Sequence, residues 1–462
     1  MFLNFFRWAV VFGATLGLGT HAVQANDLSA AVRNALTSNP ALQADDARLR
    51  AEAQDLLSRI GGYQPTLSAF GSFGSEYVDD PNGLPATDNA ISKPPRDVGL
   101  IVDLPLYDGN RRANQVFGQA ARMDQTLYTY LDASETMALS IVQAYIDIAR
   151  QHQLNAVTED HIGRQQNIVR QVQEQVAGGR LPLSDQIQAE SRVQDLRVTL
   201  TQGQRDLYRA QSRFKELVGY GPKSVTKMPN LRTPPKSLQA FVQSAFANNY
   251  RLKAAQSNID VREFERRAAE ADYLPQVSLN ATAATGQDLD GSYGSESRAY
   301  VGVNLNWEIS SGGRRERRQS LVERRSAALY DRMAIMREIE QLSERTWGDY
   351  LSNSRVLDLY NRQVTQNENL VDQYFIEFEL AARSLLDLLV AEAELYRSRV
   401  GRVNARATLI LGTYVMQATQ SQLASSFGVT SGSTLAGQAI NATGAERPLD
   451  IIRKGRPVVQ DR

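Results

Sequence analysis

The chain has 462 residues, carries 51 basic and 51 acidic side chains and contains no cysteine. The charge balance argues against nucleic acid as a partner. The absence of cysteine excludes disulfides, thiolate metal sites, catalytic thiols and a lipid anchor on an N-terminal cysteine. The mean hydropathy of −0.37 is typical of a mostly aqueous protein.

The first 25 residues have the pattern of an export signal. Arg7 precedes a short apolar run, and Val23-Gln-Ala25 ends the segment with small residues suited to cleavage after Ala25. A membrane-spanning helix would need about 20 apolar residues, and the uninterrupted run is shorter. We therefore expect residues 1–25 to be a signal peptide.

The rest of the chain contains two copies of one pattern: a helix, two strands, a very long helix, a turn and a returning helix. Repeat 1 covers 26–218, with strands at 65–78 and 97–106, a long helix at 112–177 and a helix at 184–217. Repeat 2 covers 237–421, with strands at 275–286 and 297–308, a long helix at 314–380 and a helix at 385–421. A linker rich in helix breakers, 219–236, joins the repeats, and 422–462 lacks periodicity and is expected to be a flexible tail.

The second strand of each pair alternates polar and apolar residues. The polar positions are Asp97 and Asp103 in repeat 1, and Arg298, Asn304, Asn306 and Glu308 in repeat 2. About ten alternating residues match one crossing of an outer-membrane barrel, with the polar side facing the lumen. A soluble sheet with one solvated face shows the same alternation, but the export signal and the long helices favour the barrel.

Four strands cannot close a barrel, since the smallest membrane barrels have about eight. The pattern therefore predicts that several chains complete one pore. The long helices agree with this prediction. They lack proline, and each would reach about 100 Å at 1.5 Å per residue. Their apolar residues recur every seven, and in the second long helix they form two adjacent series, which predicts one seam for a neighbour on each side.

The duplicated strand pairs, the proline before each first strand and the segment FELAARSLLDLLVAEAELYRSRV at 378–400 resemble the TolC family of outer-membrane channel proteins. The resemblance covers essentially the whole mature chain. It implies an α+β membrane protein in the Gram-negative outer membrane: a homotrimer with a twelve-stranded barrel, four strands per chain, continuing as an α-helical barrel into the periplasm. The implied partners are outer-membrane lipid, a periplasmic adaptor and an inner-membrane transporter, either an ABC transporter or a proton-driven pump.

The resemblance also implies a gate at the periplasmic tip, where the turns near 179–185 and 382–387 correspond. Ser184 and Asp185 match gate positions on the first turn, and Phe378, Arg383 and Asp387 match them on the second. Phe378 stands where a tyrosine is typical. A guanidinium donates forked hydrogen bonds to carboxylates, and symmetry repeats each contact. Alternatively, Arg383 only caps a turn and Asp185 only caps the following helix.

A ring of Asp387 carboxylates in a narrow lumen would attract cations.

Nothing in the sequence indicates an enzyme. His152 and His161 lie nine residues apart, which is not the spacing of metal ligands on one helix face, and no glycine-rich loop precedes a Lys-Ser/Thr pair. We expect no cofactor, metal or catalytic residue.

Three functions remain open. The segment RSLLDLLVAEAELYRSR at 383–399 and the missing lipidation cysteine favour a passive conduit for type I protein secretion, including adhesin export. Small-molecule or drug efflux is the alternative. A non-conducting structural protein of the envelope is a further alternative.

Overall fold

The computed structural model describes residues 28–78, 91–222, 225–289, 294–380 and 382–428. The expected signal peptide and most of the expected tail lie outside these ranges. Repeat 1 contains α1 (Leu28–Ser38), α2 (Pro40–Gly61), β1 (Thr66–Phe73), β2 (Glu76–Val78), β3 (Ile91–Lys93), β4 (Arg96–Tyr107), α3 (Arg111–Ala177) and α4 (Leu183–Val218). Repeat 2 contains α5 (Leu238–Asn248), α6 (Tyr250–Glu270), β5 (Gln276–Gln287), β6 (Ser295–Asn306), α7 (Arg314–Glu379) and α8 (Leu385–Thr419), and α9 (Leu423–Ser426) follows.

The segment before each strand pair is two helices rather than one. Asn39 ends α1 and caps α2, because its side chain accepts the N–H of Ala41 and Pro40 begins the new helix. Asn249 does the same between α5 and α6 by accepting the N–H of Leu252. Each asparagine also donates at 3.0 Å to a carbonyl near the end of its repeat's returning helix, Leu217 in α4 or Thr419 in α8. The duplication is therefore conserved between the repeats down to single hydrogen bonds.

The main sheet has four antiparallel strands in the order β1-β4-β5-β6. The pairing of β4 with β5 joins the two repeats side by side. In the part of the chain that the structure describes, β1 and β6 are the edges of this sheet, and each has one side without a strand partner. The smaller sheet pairs β2 with β3.

The long helix α3 lies at the centre of the helical part and packs against α2, α4, α6 and α8. The largest buried cluster surrounds its middle, including Ile141, Tyr145 and Ile148, and also takes in α1, the end of α4 and the end of α8. The other long helix, α7, packs against α5, α6 and α8. Several large apolar side chains of α7 stay exposed, including Leu329, Leu351 and Leu359, which leaves a seam on this helix unfilled within one chain.

The prediction that the chain becomes a flexible tail at residue 422 is wrong for residues 422–428. This stretch contains α9, and Leu423 and Phe427 are buried in the central cluster. The N–H groups of Leu423 and Ala424 donate to the buried carboxylate of Glu135 on α3. The segment is too short to show periodicity, so the sequence pattern could not indicate that it packs.

Candidate channel lining and periplasmic gate

One face of the four-stranded sheet carries a ladder of polar side chains. Asn280 donates its amide N–H to Asp103 Oδ2, and Asn304 donates to Asn280 Oδ1 at 2.6 Å. These contacts cross from β4 through β5 to β6. Near the other end of the sheet, Asp97 accepts the backbone N–H of Ser72 at 3.1 Å.

The register places Asp97, Asp103, Arg298, Asn304 and Asn306 of the predicted lumen set on this face. Arg298 forms an ion pair of 3.1 Å with Glu296. The sequence analysis did not single out Asn280, Ser72 or Glu296, although the same two-residue alternation in β1, β5 and β6 would have found them.

Glu308 lies beyond the end of the strand that carries this ladder. The strand β6 ends at Asn306, two residues earlier than predicted. The backbone carbonyl of Glu308 accepts a hydrogen bond from Arg314 at 2.9 Å, and its carboxylate lies 3.1 Å from the same guanidinium. Glu308 therefore helps to fix the start of α7, because its partner is the first residue of that helix.

The opposite face of the sheet is apolar and exposed within one chain. Val301, Val303 and Leu305 of β6 are 73%, 61% and 67% exposed. Leu67, Val98 and Leu100 on β1 and β4 lie on the same side of the sheet. A continuous apolar face of this size on exposed strands is typical of a surface that contacts lipid.

The two turns at the far end of the long helices have the same construction. After α3, the N–H of Arg180 donates to the Gln175 carbonyl at 2.8 Å, with Gly179 in the left-handed conformation at φ 72°. After α7, the N–H of Ala382 donates to the Glu377 carbonyl at 2.8 Å. These six-residue closures satisfy carbonyls of the last turn of a helix, so the same kind of hydrogen bond ends both long helices.

Arg383 is held by partners that the sequence analysis did not name. Its guanidinium lies 2.8 Å from Glu377 Oε2 and 4.3 Å from the centre of the Tyr374 ring, but 4.0 Å from Asp387 Oδ2. The hydrogen bond to Glu377 is the main reason that the pKa of Arg383 is raised. Ser384 caps α8 by accepting the N–H of Asp387, and its hydroxyl donates to the Asp387 carboxylate at 2.8 Å.

Phe378 lies in the buried cluster near the tip. It is 2% exposed and packs with Ile168 and Val172 of α3 and with Leu385 and Leu388 of α8. A phenyl ring has no hydroxyl to donate, and burial stabilises it. The aromatic side chain that contacts Arg383 is Tyr374, one helical turn earlier on α7.

Ser184 and Asp185 lie in the first turn of α4, on the turn that corresponds to the one carrying Arg383. The residue at the N-cap position of α4 is Pro182, so Asp185 does not cap this helix. Among the described residues, no side-chain hydrogen bond or ion pair is found for Ser184 or Asp185. Within one chain, the structure brings Arg383 near Asp387 but not to the residues of the first turn.

The described residues contain no group of three or more His, Cys, Asp or Glu side chains placed to hold a metal ion. None of the helices in these ranges combines the length and the apolar character needed to cross a membrane.

The fold and the two sheet faces define a class of protein: an outer-membrane channel whose strands continue into long periplasmic helices. The chain belongs to the family described as outer membrane efflux protein, whose model matches residues 31–220 and 241–429. The two matched ranges follow the two repeats. This membership confirms the resemblance, the fold class and the location in the outer membrane that the sequence predicted. The family is one of channels that work in tripartite systems, and its members are not enzymes.

Two relatives match this chain over most of its length, and a third matches it over about a third. The outer membrane efflux protein BepC of Brucella suis is 23% identical over 412 residues, 88% of each chain. The outer membrane protein TolC of Escherichia coli is 20% identical over 427 residues, 87% of this chain and 83% of the relative. The alkaline protease secretion protein AprF of Pseudomonas aeruginosa is 28% identical over 167 residues, 35% of this chain and 34% of the relative.

The outer-membrane channel OprN has a similar solved structure. Its TM-score is 0.74 at 19% identity, and the match covers 86% of this chain and 91% of that chain. This similarity shows the fold.

Proposed function

We propose that three copies of the chain form one pore that passively conducts exported material across the outer membrane. The observation that carries this proposal is the polar ladder of Asp103, Asn280 and Asn304, which lines one face of a sheet whose other face is apolar. A sheet that bends into a barrel with its apolar face towards lipid encloses the ladder, and a wide polar interior serves conduction. The free edges of β1 and β6 supply the joints between copies.

The pore is gated at the periplasmic tip by Arg383 and Asp387 of the second turn and by Ser184 and Asp185 of the first. Within one chain the first-turn residues have no described side-chain partner, while Arg383 is exposed enough to reach outwards. In a ring of three copies, each guanidinium can bind the carboxylate of a neighbouring first turn, and symmetry repeats the contact. Tyr374 and Glu377 orient Arg383 for this contact.

Conductance of single channels in planar bilayers tests the gate. We expect Arg383→Ser to raise the conductance about twofold or more, because each removed contact is repeated around the axis. Arg397→Ser is the matched control, since Arg397 is an exposed arginine of α8 that pairs with Glu394 on its own helix. Unchanged conductance in Arg383→Ser would rule the gate out.

The material that passes is protein delivered by a type I secretion system, with a periplasmic adaptor and an ABC transporter as partners. The similarity to AprF, whose name describes alkaline protease secretion, supports this proposal. BepC, whose name describes efflux, supports the alternative of small-molecule efflux with a proton-driven pump.

A strain that lacks the gene for this chain distinguishes protein secretion from small-molecule efflux. Loss of a large protein from the culture medium, restored by the intact gene and without a change in drug susceptibility, is the result expected for secretion. Increased drug susceptibility with an unchanged set of secreted proteins would refute secretion and favour efflux. Purified channel that carries no current in bilayers would instead support a structural role.

A further inference from the structure

The returning helix α8 carries a buried carboxylate, Glu392, five residues beyond Asp387. Its side chain is 3% exposed. Arg164 of α3 donates from Nε to the two carboxylate oxygens at 3.1 and 3.3 Å, and its Nη2 lies 3.0 Å from Oε1. His161 Nδ1, also on α3, lies 3.4 Å from Oε2. Glu392 therefore connects two helix pairs. One is α7 and α8, whose turn carries Arg383, and the other is α3 and α4, whose turn leads to Asp185.

Further contacts join α8 to α3 as α8 runs away from the tip. The His161 ring stacks on Tyr396 with 4.8 Å between ring centres, and the Tyr396 hydroxyl lies 3.0 Å from Thr158 Oγ1. Next, Arg399 lies 2.6 Å from Asp160 of α3 and 2.7 Å from Glu368 of α7. Polar contacts thus link α8 to α3 at three successive turns, and Glu392 is the one nearest to the tip.

Glu392 is charged in this setting. Burial acts to raise the pKa of its carboxyl, but the hydrogen bonds from His161 and Arg164 outweigh burial and hold the pKa below its ordinary value. A buried carboxylate is tolerated only with such donors. Removing the charge would therefore weaken the contacts to both α3 partners together.

A cavity beside this contact makes the contact more important for the position of α8. It has a volume of about 260 Å³ and lies between α3, α4 and α8, with His161, Leu196 and Leu389 among its lining residues. Gln165 also lines it, and the Oε1 atom of this buried residue has no hydrogen-bond partner in the described structure. Apolar packing is interrupted where the cavity lies, so at this level the polar contacts hold α8 against α3, and the apolar cluster around Phe378 packs the two helices closer to the tip.

We propose that Glu392 is a positioning residue of the tip gate. It fixes the first turns of α8, and with them Arg383 and Asp387, at the separation from α3 and α4 at which the gate closes. Asp387 and Glu392 lie about 7.5 Å apart along the helix axis at 1.5 Å per residue, so a shift of one is transmitted to the other. This inference rests on the gate proposed above.

Glu392→Gln tests the inference, because it keeps the size of the side chain and removes its charge. We expect the single-channel conductance to rise about twofold or more. Glu394→Gln is the matched control: Glu394 lies two residues further along α8, and its carboxylate pairs with Arg397 of the same helix. We expect this control to conduct as the wild type does. A Glu392→Gln channel with wild-type conductance would overturn the inference.

A double variant with Glu392→Gln and Arg383→Ser distinguishes positioning of the gate from a general loosening of the helices. If Glu392 acts through the gate, Glu392→Gln adds no further conductance once Arg383 is replaced. A further rise of the same size in the double variant would show action elsewhere and would overturn the inference. If Arg383→Ser alone leaves the conductance unchanged, the gate proposal fails and the positioning role fails with it.

A second variant covers the case in which Glu392→Gln does not assemble. Arg164→Lys keeps the positive charge but loses the forked hydrogen bonds to Glu392. We expect assembled channels with a conductance between those of the wild type and Arg383→Ser. Wild-type conductance in Arg164→Lys would count against the inference as strongly as the same result for Glu392→Gln.

Discussion

Glu135 on α3 holds the last described segment of the chain in place. Its side chain is buried, and its carboxylate accepts the N–H groups of Leu423 at 2.9 Å and Ala424 at 3.2 Å. Burial chiefly raises the pKa of Glu135, from 4.5 to about 7; the two N–H donors oppose this rise, and nearby Asp132 adds to it. One titratable group therefore couples the attachment of α9 to pH.

The sign of the effect follows from the direction of the shift. Because the folded-state pKa of Glu135 is raised, its contribution to the free energy of unfolding is fully present below about pH 4.5 and is lost as the pH rises through about 7. Glu135→Gln keeps an oxygen for the N–H groups and has no charge to bury. We expect it to stabilise the protein at about pH 8 by up to about 3 kcal/mol relative to the wild type.

Melting of the detergent-solubilised channel at about pH 5 and about pH 8 measures this effect. The wild type should lose stability between the two conditions by more than Glu135→Gln does. Glu159→Gln is the control, because Glu159 is an exposed residue of the same helix. An identical pH response in Glu135→Gln and the wild type would contradict the assignment.

At the scale of elements, the returning helix α8 approaches α7 closely at one glycine. A Cβ on Gly401 would lie 2.3 Å from the ring of Tyr360 on α7, whereas a Cβ on Gly412 of the same helix would meet nothing within 4 Å. The two glycines therefore separate the effect of helix propensity from the effect of helix packing.

We expect Gly412→Ala to stabilise the protein by up to about 1 kcal/mol, because alanine is the better helix former. Gly401→Ala gains the same propensity but must displace the Tyr360 ring, at a cost of about 1–3 kcal/mol for overpacking. Denaturant unfolding in detergent compares the two variants. Equal stabilisation by both would show that the Tyr360 ring moves aside at no cost and would contradict the prediction.

The elements that the sequence predicted well are those whose pattern is local. The two-residue alternation of β4 and the seven-residue series of α7 are local patterns, so the strand faces and the long helices could be read from them. Glu392 and Glu135 could not be found in this way. Their donors lie 228 and 288 residues away along the chain, and a local pattern does not show which carboxylate will meet them. The burial of Phe378 could not be read from its motif either, because position in a motif does not determine the side that a helix buries.

At the scale of the whole molecule, neighbouring residues of β6 face different surroundings. Val303 lies on the apolar face and Asn304 on the polar face. We expect Val303→Arg to lower the yield of assembled channel, because arginine on the lipid side costs up to about 2–4 kcal/mol. Asn304→Arg should assemble normally and shift the ion selectivity of the pore towards anions.

Heat-resistant oligomer on a gel and reversal potentials in bilayers measure these two outcomes. Each variant is the control for the other, since both place arginine on the same strand one residue apart. If Asn304→Arg lowers assembly and Val303→Arg shifts the ion selectivity, the assignment of lipid and lumen faces is wrong.

The free edges of β1 and β6 matter for a newly exported chain. Until a second copy arrives, each edge of the described sheet presents N–H and C=O groups to whatever strand is nearby. Folding of the sheet then includes an association step, so its yield rises with the number of chains present in the same place. When few chains are made, proteolysis and aggregation compete with assembly, and the level of expression determines whether the cell obtains a working channel.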